Sequence, residues 1–462
     1  MNLKSYIGDR AFYRRTMAIA LPIIIQNTVT NLVNLLDNLM VSWVGTEQMS
    51  GVSIVNQFIF VFNLAVFGAI SGAGIFTAQF NGRGDTVGVR NTMRIKLVLC
   101  LVIGLIGVFA IGTFQDGLIN SFLHDNGGGA LDLQLVYSSA KEYLVYIIIG
   151  LIPFAISQAY ASTLRETGET FIPMVASSVS IVTNMIFNAI LIFGLFGFPE
   201  LGVAGAAIAT SLSRFIELAI LVFWTHTHKQ KCSYAVGLFR GFTIPFSLVK
   251  QVAFKGTPIL CNELFWSLSI TTINMCYSTR GTDVITAMNI SFNLQNLLSV
   301  AYFALSSSIA IIVGNLLGAG KIEEAKETDK KLLAFAVFMG MIMMGIQMAL
   351  STVFPSFYTD VESVIEIARY NMICFGITMP FAALATATYY TIRSGGRVFI
   401  TMLFDSVYAW VVVIPVVASL AYFTSLPFEI MLPIVLVVEN LKVIPGLILV
   451  HTGMWARQLK VE

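Results

Sequence analysis

One carboxylate lies in the first long apolar stretch of the sequence, and asparagines accompany it at helical spacing. Asp37 falls inside segment 21–44, which is long and apolar enough to cross a bilayer. Four amides at i, i+4, i+7 and i+11 would share one helix face: Asn27, Asn31, Asn34 and Asn38. A carboxylate within a span costs about 2.5–3.5 kcal/mol on insertion scales, so it rarely faces lipid. We therefore predict that Asp37 is the centre of a buried cation site.

The composition is that of a polytopic membrane protein. Of the 462 residues, 56% are hydrophobic and 11% are charged, whereas an ordinary soluble domain has about 25% charged residues. The sequence has no basic domain and no recognisable nucleic-acid-binding motif, so we expect no nucleic-acid partner. The apolar segments show no metal-ligand cluster, no Ser/His/Asp set and no phosphate loop. We therefore expect no cofactor, and a membrane-embedded enzyme is the least favoured reading.

The hydropathy pattern predicts an all-α membrane protein with twelve spans. They cover residues 16–41, 52–80, 97–115, 143–164, 171–194, 203–225, 257–278, 284–314, 332–354, 370–392, 399–422 and 430–453. With the N-terminus inside, this count places 22 of the 27 Lys and Arg residues on the inner side. Such an asymmetry is typical of a correct topology. We therefore predict a multi-pass protein of the cell membrane with both termini cytoplasmic.

The two halves of the chain repeat each other. LPIII at Leu21 aligns with TPILC at Thr257 with an offset of 236, and TLRETGETFIPM at 163–174 aligns with TIRSGGRVFITM at 391–402 with an offset of 228. We predict an N-lobe at 1–225, a cytoplasmic linker at 226–256 and a C-lobe at 257–462. Six spans per half place the pseudo-two-fold axis along the membrane normal, an arrangement common in transporters.

Several motifs together resemble the multidrug and toxic compound extrusion (MATE) family, and its bacterial and archaeal members in particular. They are A-L-P at the start of the first span with an Asp fifteen residues after the Pro, Q-F-N-G-R-G-D at 79–85, L-R-x-T-G-x-T-x-x-P-M at 164–174, and GVAGAAIAT at 202–210. The resemblance implies two six-helix lobes around a V-shaped cleft. It also implies antiport, in which inward flow of H⁺ or Na⁺ drives export of an organic, often cationic, small molecule. We expect a monomer in the lipid bilayer.

The resemblance extends the cation site to other helices, where it implies roles for Asn184, Asn188 and Thr210 beside Asp37. Asn184 and Asn188 are one helical turn apart and would face one way. Carboxylate, amide and hydroxyl oxygens suit a hard cation such as Na⁺. The alternative is that these side chains only join helices by hydrogen bonds.

Other polar and aromatic residues within spans are candidates for a substrate cleft. They are Asn34, Asn56, Gln57, Glu263, Trp266, Asn289, Asn293, Tyr390 and Asp405. Trp266 could stack on a flat cation. The structural alternatives are that Glu263 is solvated near the membrane face, and that Asp405 pairs with Arg393 or Arg397. Two further charge pairs at i, i+3 are predicted within spans: Arg214 with Glu217, and Glu439 with Lys442.

Bending of the first span at Pro22 is a mechanism that the resemblance implies, because proline frees a helical carbonyl and permits a kink. The main alternative function is a flippase for lipids or lipid-linked oligosaccharides of the same superfamily. Such a protein would present unpaired basic residues to a phosphate within its spans. Arg214 and Lys442 each have an acidic neighbour in sequence, which favours the antiporter.

Overall fold

The described part of the protein is built from long helices joined by short turns. The computed structural model describes residues 6–123, 132–241 and 243–459, and within the first helix the side chains at 33–35 and 38–39 lie outside the description. We number the helices α1 Arg10–Ser42, α2 Thr46–Arg83, α3 Thr86–Asn120, α4 Leu133–Glu166, α5 Phe171–Phe193, α6 Gly202–Thr227, α7 Phe246–Ser278, α8 Thr282–Gly318, α9 Ile322–Leu350, α10 Glu362–Ser394, α11 Val398–Phe423 and α12 Phe428–His451. Each predicted span corresponds to one helix, which confirms the all-α fold.

Ten of these helices, α2–α6 and α8–α12, are long and apolar enough to cross a membrane. The other two, α1 and α7, have 33 residues each, a length of about 50 Å at 1.5 Å per residue. They carry Asp37 and Glu263 respectively, together with several amides, which dilute their apolar character. Both are continuous helices with an internal proline, Pro22 in α1 and Pro258 in α7.

Two helices near the C-terminus are irregular where they carry charges. In α11, two π-helical turns span Leu403–Val407 and Ala409–Val413, and the first contains Asp405. In α12, the regular helix stops at Asn440 and resumes at Val443, which places Lys442 in the break. Single π turns inside helices are rare and occur frequently at functional sites.

The chain divides into two compact units, each of which is described by itself. Unit 1 comprises Met1–Ile24, Ala78–Asp85 and Thr257–Glu462, and unit 2 comprises Ile25–Thr77 and Thr86–Gly256. This partition does not follow a single cut in the sequence. The segment up to Ile24 packs with the second half of the chain, and the predicted linker 226–256 packs with the first half. Two boundaries between the units fall within three residues of a proline, one after Pro22 and one before Pro258.

Unit 1 contains a reciprocal crossing of two helix ends. A Cβ on Gly82, at the end of α2, would lie 1.9 Å from the carbonyl oxygen of Asn315 in α8. A Cβ on Gly318 would lie 2.0 Å from the carbonyl oxygen of Gln79. Both glycines and both carbonyls are related by the offset of 236 found in the sequence. The contact therefore has the symmetry expected of duplicated halves.

Unit 2 buries a lysine that the span prediction had placed in an inner loop. Lys96 lies inside α3 and is fully buried. Its ammonium forms an ion pair with Glu166 at the end of α4 and donates to Ser162 Oγ at 2.9 Å. Lys96 therefore lies in a helix rather than in a loop, and the ion pair allows its charge to be buried there.

Candidate cation site

The helix α5 presents a ladder of polar side chains to its neighbours in unit 2. Ser177, Ser180, Asn184 and Asn188 follow each other at three or four residues and are all buried. This spacing keeps them on one face of the helix. The facing helix α6 contributes Thr210, and Ser180 Oγ donates to the carbonyl oxygen of Ser213 at 2.8 Å. The ladder is thus enclosed within the unit.

Asp37 of α1 lies at one end of this ladder. Asn188 Nδ2 donates to Asp37 Oδ1 at 2.7 Å. When the Asn184 amide is turned so that its nitrogen faces Asp37, the nitrogen lies 2.9 Å from Oδ1 and 3.0 Å from Oδ2 and can donate to both. Its oxygen then accepts from the hydroxyl of Thr210 at 3.0 Å. Asn184 and Asn188 therefore contact the Asp37 carboxylate, and Thr210 contacts Asn184.

One acceptor at this site has no partner. Asn188 is buried, and its Oδ1 accepts no hydrogen bond from any described residue. A buried amide oxygen without a donor is costly, typically by about 1–3 kcal/mol. It lies on the same amide that donates to Asp37, so the amide offers a hydrogen-bond donor and a cation ligand within reach of one carboxylate. Arg214 also interacts electrostatically with Asp37, which adds a fixed positive charge to the site.

The ladder continues away from Asp37 as a hydrogen-bonded chain. Gln26 Nε2 donates to Ser177 Oγ at 2.7 Å, and Ser177 Oγ donates to Glu217 Oε1 at 2.7 Å. Glu217 is buried and forms an ion pair with Arg214 at 3.3 Å. The predicted i, i+3 pair on the sixth span is confirmed. Hydrogen bonds thus link α1, α5 and α6.

Unit 1 contains a second polar network, centred on Asp405. Lys442 Nζ donates to Asp405 Oδ1 at 3.0 Å, and Asn262 Nδ2 donates to Asp405 Oδ2 at 3.1 Å. The pairing of Asp405 with Arg393 or Arg397 is therefore wrong. Lys442 interacts with its neighbour Glu439 only electrostatically, because the helix break directs its ammonium to Asp405 in α11.

The two networks occupy corresponding positions of the repeat with inverted charge. Offsets of 236 for α1 and α7, 228 for α5 and α11, and 225 for α6 and α12 relate their residues. The corresponding positions are Gln26 and Asn262, Ser177 and Asp405, Glu217 and Lys442, and Arg214 and Glu439. In the first repeat the acid of the network is Glu217 on α6. In the second repeat the corresponding position is Lys442 on α12, which pairs with Asp405 on α11. Both charge pairs are visible in the sequence, and the offset of 225 is the signal that aligns them.

The remaining predicted cleft residues fall in both units. Asn56 and Gln57 belong to unit 2, whereas Glu263, Trp266, Asn289, Asn293, Tyr390 and Asp405 belong to unit 1. Gln57, Trp266, Asn289 and Asn293 are exposed, and Asn56, Glu263, Tyr390 and Asp405 are half-buried. The side chain of Asn34 lies outside the described residues. Within unit 1, the guanidinium of Arg393 lies 5.4 Å from the centre of the Tyr390 ring.

Comparison with known proteins agrees with this architecture. The MatE family model matches residues 22–190 and again 258–418, with starting points 236 residues apart. A probable multidrug resistance protein NorM from Thermotoga maritima is 27% identical over 408 residues, which is 87% of this chain and 84% of that protein. A NorM relative from Listeria monocytogenes is 24% identical over 90% of both chains.

Solved structures share the fold. A MOP superfamily transporter from Pyrococcus furiosus has a TM-score of 0.85 at 18% identity over 97% of both chains. A mutant of the Vibrio cholerae MATE transporter VcmN has a TM-score of 0.85 at 15% identity, over 96% of this chain and 97% of that one. The twelve-helix, two-repeat fold is therefore established. Because one family model matches both halves and well over half of the sequence, the chain belongs to the MatE family, the multidrug and toxic compound extrusion transporters that its motifs resemble.

Proposed function

We propose that this multi-pass membrane protein is a cation-coupled antiporter that exports organic, cationic small molecules, with Asp37 as the coupling carboxylate. One observation carries the proposal: Asp37 is held by two buried amides, Asn184 and Asn188, one of which keeps an unpartnered oxygen. Such an arrangement can accept or release one positive charge with little rearrangement. Relatives named as probable multidrug resistance proteins support export of organic compounds.

The amides can serve both charge states of the carboxylate. When Asp37 is ionised, the amide nitrogens donate to its oxygens, as the distances of 2.7–3.0 Å describe. When Asp37 takes up a proton, its hydroxyl becomes a donor, and a half-turn of the Asn188 amide presents Oδ1 as the acceptor. Na⁺ would use the same oxygen together with the carboxylate and the hydroxyl of Thr210. A single carboxylate corresponds to one H⁺ or one Na⁺ per cycle.

The substrate would be recognised by the remaining candidates. Glu263 supplies negative charge, whereas the charge of the other candidate acid, Asp405, is balanced by Lys442. Trp266 and Tyr390 supply aromatic faces on which a flat cation can stack. Pro22 is the proposed hinge, since it lies within a continuous helix three residues before the chain passes from unit 1 to unit 2.

We further propose that the protein acts as a monomer in the cell membrane, with both termini cytoplasmic, and that it catalyses no chemical reaction. A flippase is less favoured, because Arg214 and Lys442 are each paired with a carboxylate.

Transport into and out of proteoliposomes tests the proposal. The protein is reconstituted with a fluorescent organic cation, and efflux is followed under an imposed pH gradient or an imposed Na⁺ gradient. We expect Asp37→Asn to abolish stimulation by the gradient, because the neutral amide can no longer exchange a charge. Asp116→Asn provides the matched control, since Asp116 is a carboxylate of the same unit with a 60% exposed side chain. Gradient-driven efflux that persists in Asp37→Asn would reject the assignment of Asp37.

A further inference from the structure

A pocket in unit 2 lies outside the polar ladder and outside the candidate cleft residues. It has a volume of about 510 Å³ and is open to the surroundings. One side is formed by the first turns of α3 and the other by the segment that precedes α7. The lining residues are Val87, Arg90, Asn91, Arg94, Arg240, Gly241, Thr243, Ile244 and Pro245. Neither the transport proposal nor the family comparison assigns a role to this pocket.

A buried arginine builds the pocket. Arg94 is 5% exposed, and its guanidinium donates to the backbone carbonyls of Gly237, Leu238 and Arg240 at 2.7–2.8 Å. Arg90, one turn earlier, donates from Nε to the carbonyl of Tyr234 at 3.0 Å. These bonds fasten the segment 234–240 to α3. They hold the exposed side chain of Arg240 at the pocket opposite the helix.

The charges at the pocket favour an anion. Three guanidinium groups line it, and none of its lining residues is a carboxylate. Arg90 and Arg94 are one helical turn apart and repel each other, as like charges at i, i+4 do. The first turn of α3 adds the positive end of a helix dipole, since the helix begins at Thr86. Guanidinium groups arranged in this way bind phosphate oxygens by paired, charge-assisted hydrogen bonds.

Apolar side chains form part of the pocket. Val87, which is 55% exposed, lines it together with Ile244 and Pro245. The pocket lies at the start of the apolar helix α3, on the side that the distribution of Lys and Arg predicts to be inner. A soluble anion would gain nothing from these apolar side chains, whereas a lipid would place its phosphate on the arginines and its acyl chains against the apolar edge. Basic pockets between helices on the inner side are typical binding sites for anionic headgroups.

We propose that this pocket is a binding site for the phosphate of an anionic phospholipid of the inner leaflet. Arg90 and Arg240 contact the phosphate, and Arg94 positions the segment that carries Arg240. The lipid would stabilise the junction between α3 and the segment before α7.

Binding of a fluorescent phosphatidylglycerol to the purified protein in neutral detergent tests the proposal. We expect saturable binding that phosphatidylcholine does not displace and that weakens with salt. Arg240→Gln and Arg90→Gln should each weaken binding about fivefold, the effect of one basic residue near an anionic headgroup. Lys250→Gln is the matched control, because it removes one positive charge from an exposed residue of the same unit that does not line the pocket. It should leave binding unchanged.

Two outcomes would overturn the proposal. Equal binding by Arg240→Gln, Arg90→Gln and Lys250→Gln would show that the lipid binds elsewhere or by general charge alone. Displacement of the lipid by glycerol 3-phosphate or inorganic phosphate at equal concentration would show that the pocket takes a soluble phosphate and that the apolar rim contributes nothing. Thermal unfolding of each variant, measured in parallel, separates loss of binding from loss of fold.

Discussion

The ion pair between Asp405 and Lys442 makes a quantitative prediction about unit 1. Both side chains are 18% exposed, and their charged atoms are 3.0 Å apart. Removing one partner of a buried pair costs about 3–5 kcal/mol, because the remaining charge is left uncompensated. Because both side chains are partly exposed, the cost for this pair should lie at the lower end of that range. We therefore expect Lys442→Met to lower the free energy of unfolding by about 3 kcal/mol. The loss of Asp405 should cost less, since Lys442 also interacts with Glu439.

A double-mutant cycle separates the pair from its surroundings. The variant with both Lys442→Met and Asp405→Asn contains no unpaired charge at the break in α12. The double variant should therefore lose about 2 kcal/mol less free energy of unfolding than the sum of the losses in the two single variants. This difference is within the range measured for residues in contact. The readout is the denaturant or thermal unfolding of the purified protein in detergent, followed by intrinsic tryptophan fluorescence.

The competing pairing provides the control cycle. If Asp405 were held by Arg397, as one sequence interpretation expected, Asp405→Asn and Arg397→Met would be coupled. Arg397 instead donates to the backbone carbonyl of Met454, so these two changes should be additive within about 0.5 kcal/mol. Additivity of the Lys442 and Asp405 substitutions, or coupling in the Arg397 cycle, would refute the assignment of the ion pair.

Two further predictions concern buried contacts in the two units. Lys96→Met should destabilise unit 2 by about 3–5 kcal/mol, because it leaves the Glu166 carboxylate without its cation, and adding Glu166→Gln should recover most of the loss in the same unfolding assay. Gly318→Ala should lower the unfolding midpoint, because its Cβ would lie 2.0 Å from the Gln79 carbonyl oxygen; overpacking of this kind costs about 1–3 kcal/mol. Gly345→Ala is the matched control, since nothing lies within 4 Å of its Cβ and helix propensity favours alanine by about 1 kcal/mol. A Gly318→Ala protein as stable as Gly345→Ala would contradict the reciprocal crossing.

The sequence predicted those features that depend on local periodicity and on internal repetition. Apolar runs located the helices, and the offset of 236 relates Gly82 to Gly318, the two glycines of the reciprocal crossing. Asn184 and Asn188 could be placed on one helix face because helical spacing alone determines it. Their meeting with Asp37 required three helices to pack together. It was implied by the family resemblance and is supported by the distances.

The features that escaped prediction depend on irregular backbone or on partners far apart in sequence. The sequence alone favours Arg393 or Arg397 as the partner of Asp405, because both arginines are near it in the chain. The π turn in α11 and the break in α12 instead bring it to Lys442, 37 residues away. Lys96 was placed in a loop because an isolated charge in a span is costly. Its partner Glu166, 70 residues further on, was not visible as such.

The duplication is symmetric in architecture and asymmetric in chemistry. The reciprocal glycine crossing and the two matches to one family model show that the two halves share one helix arrangement. The position that corresponds to Asp37 in the second half is Ile273, so the candidate coupling carboxylate has no counterpart there. The second half instead contains an acid, Asp405, whose cation is supplied by the protein itself. A carboxylate with an internal ammonium is already neutralised, whereas Asp37 accepts hydrogen bonds from neutral amides, and the nearby Arg214 forms its ion pair with Glu217. This difference is the physical reason for assigning ion exchange to the first half of the chain.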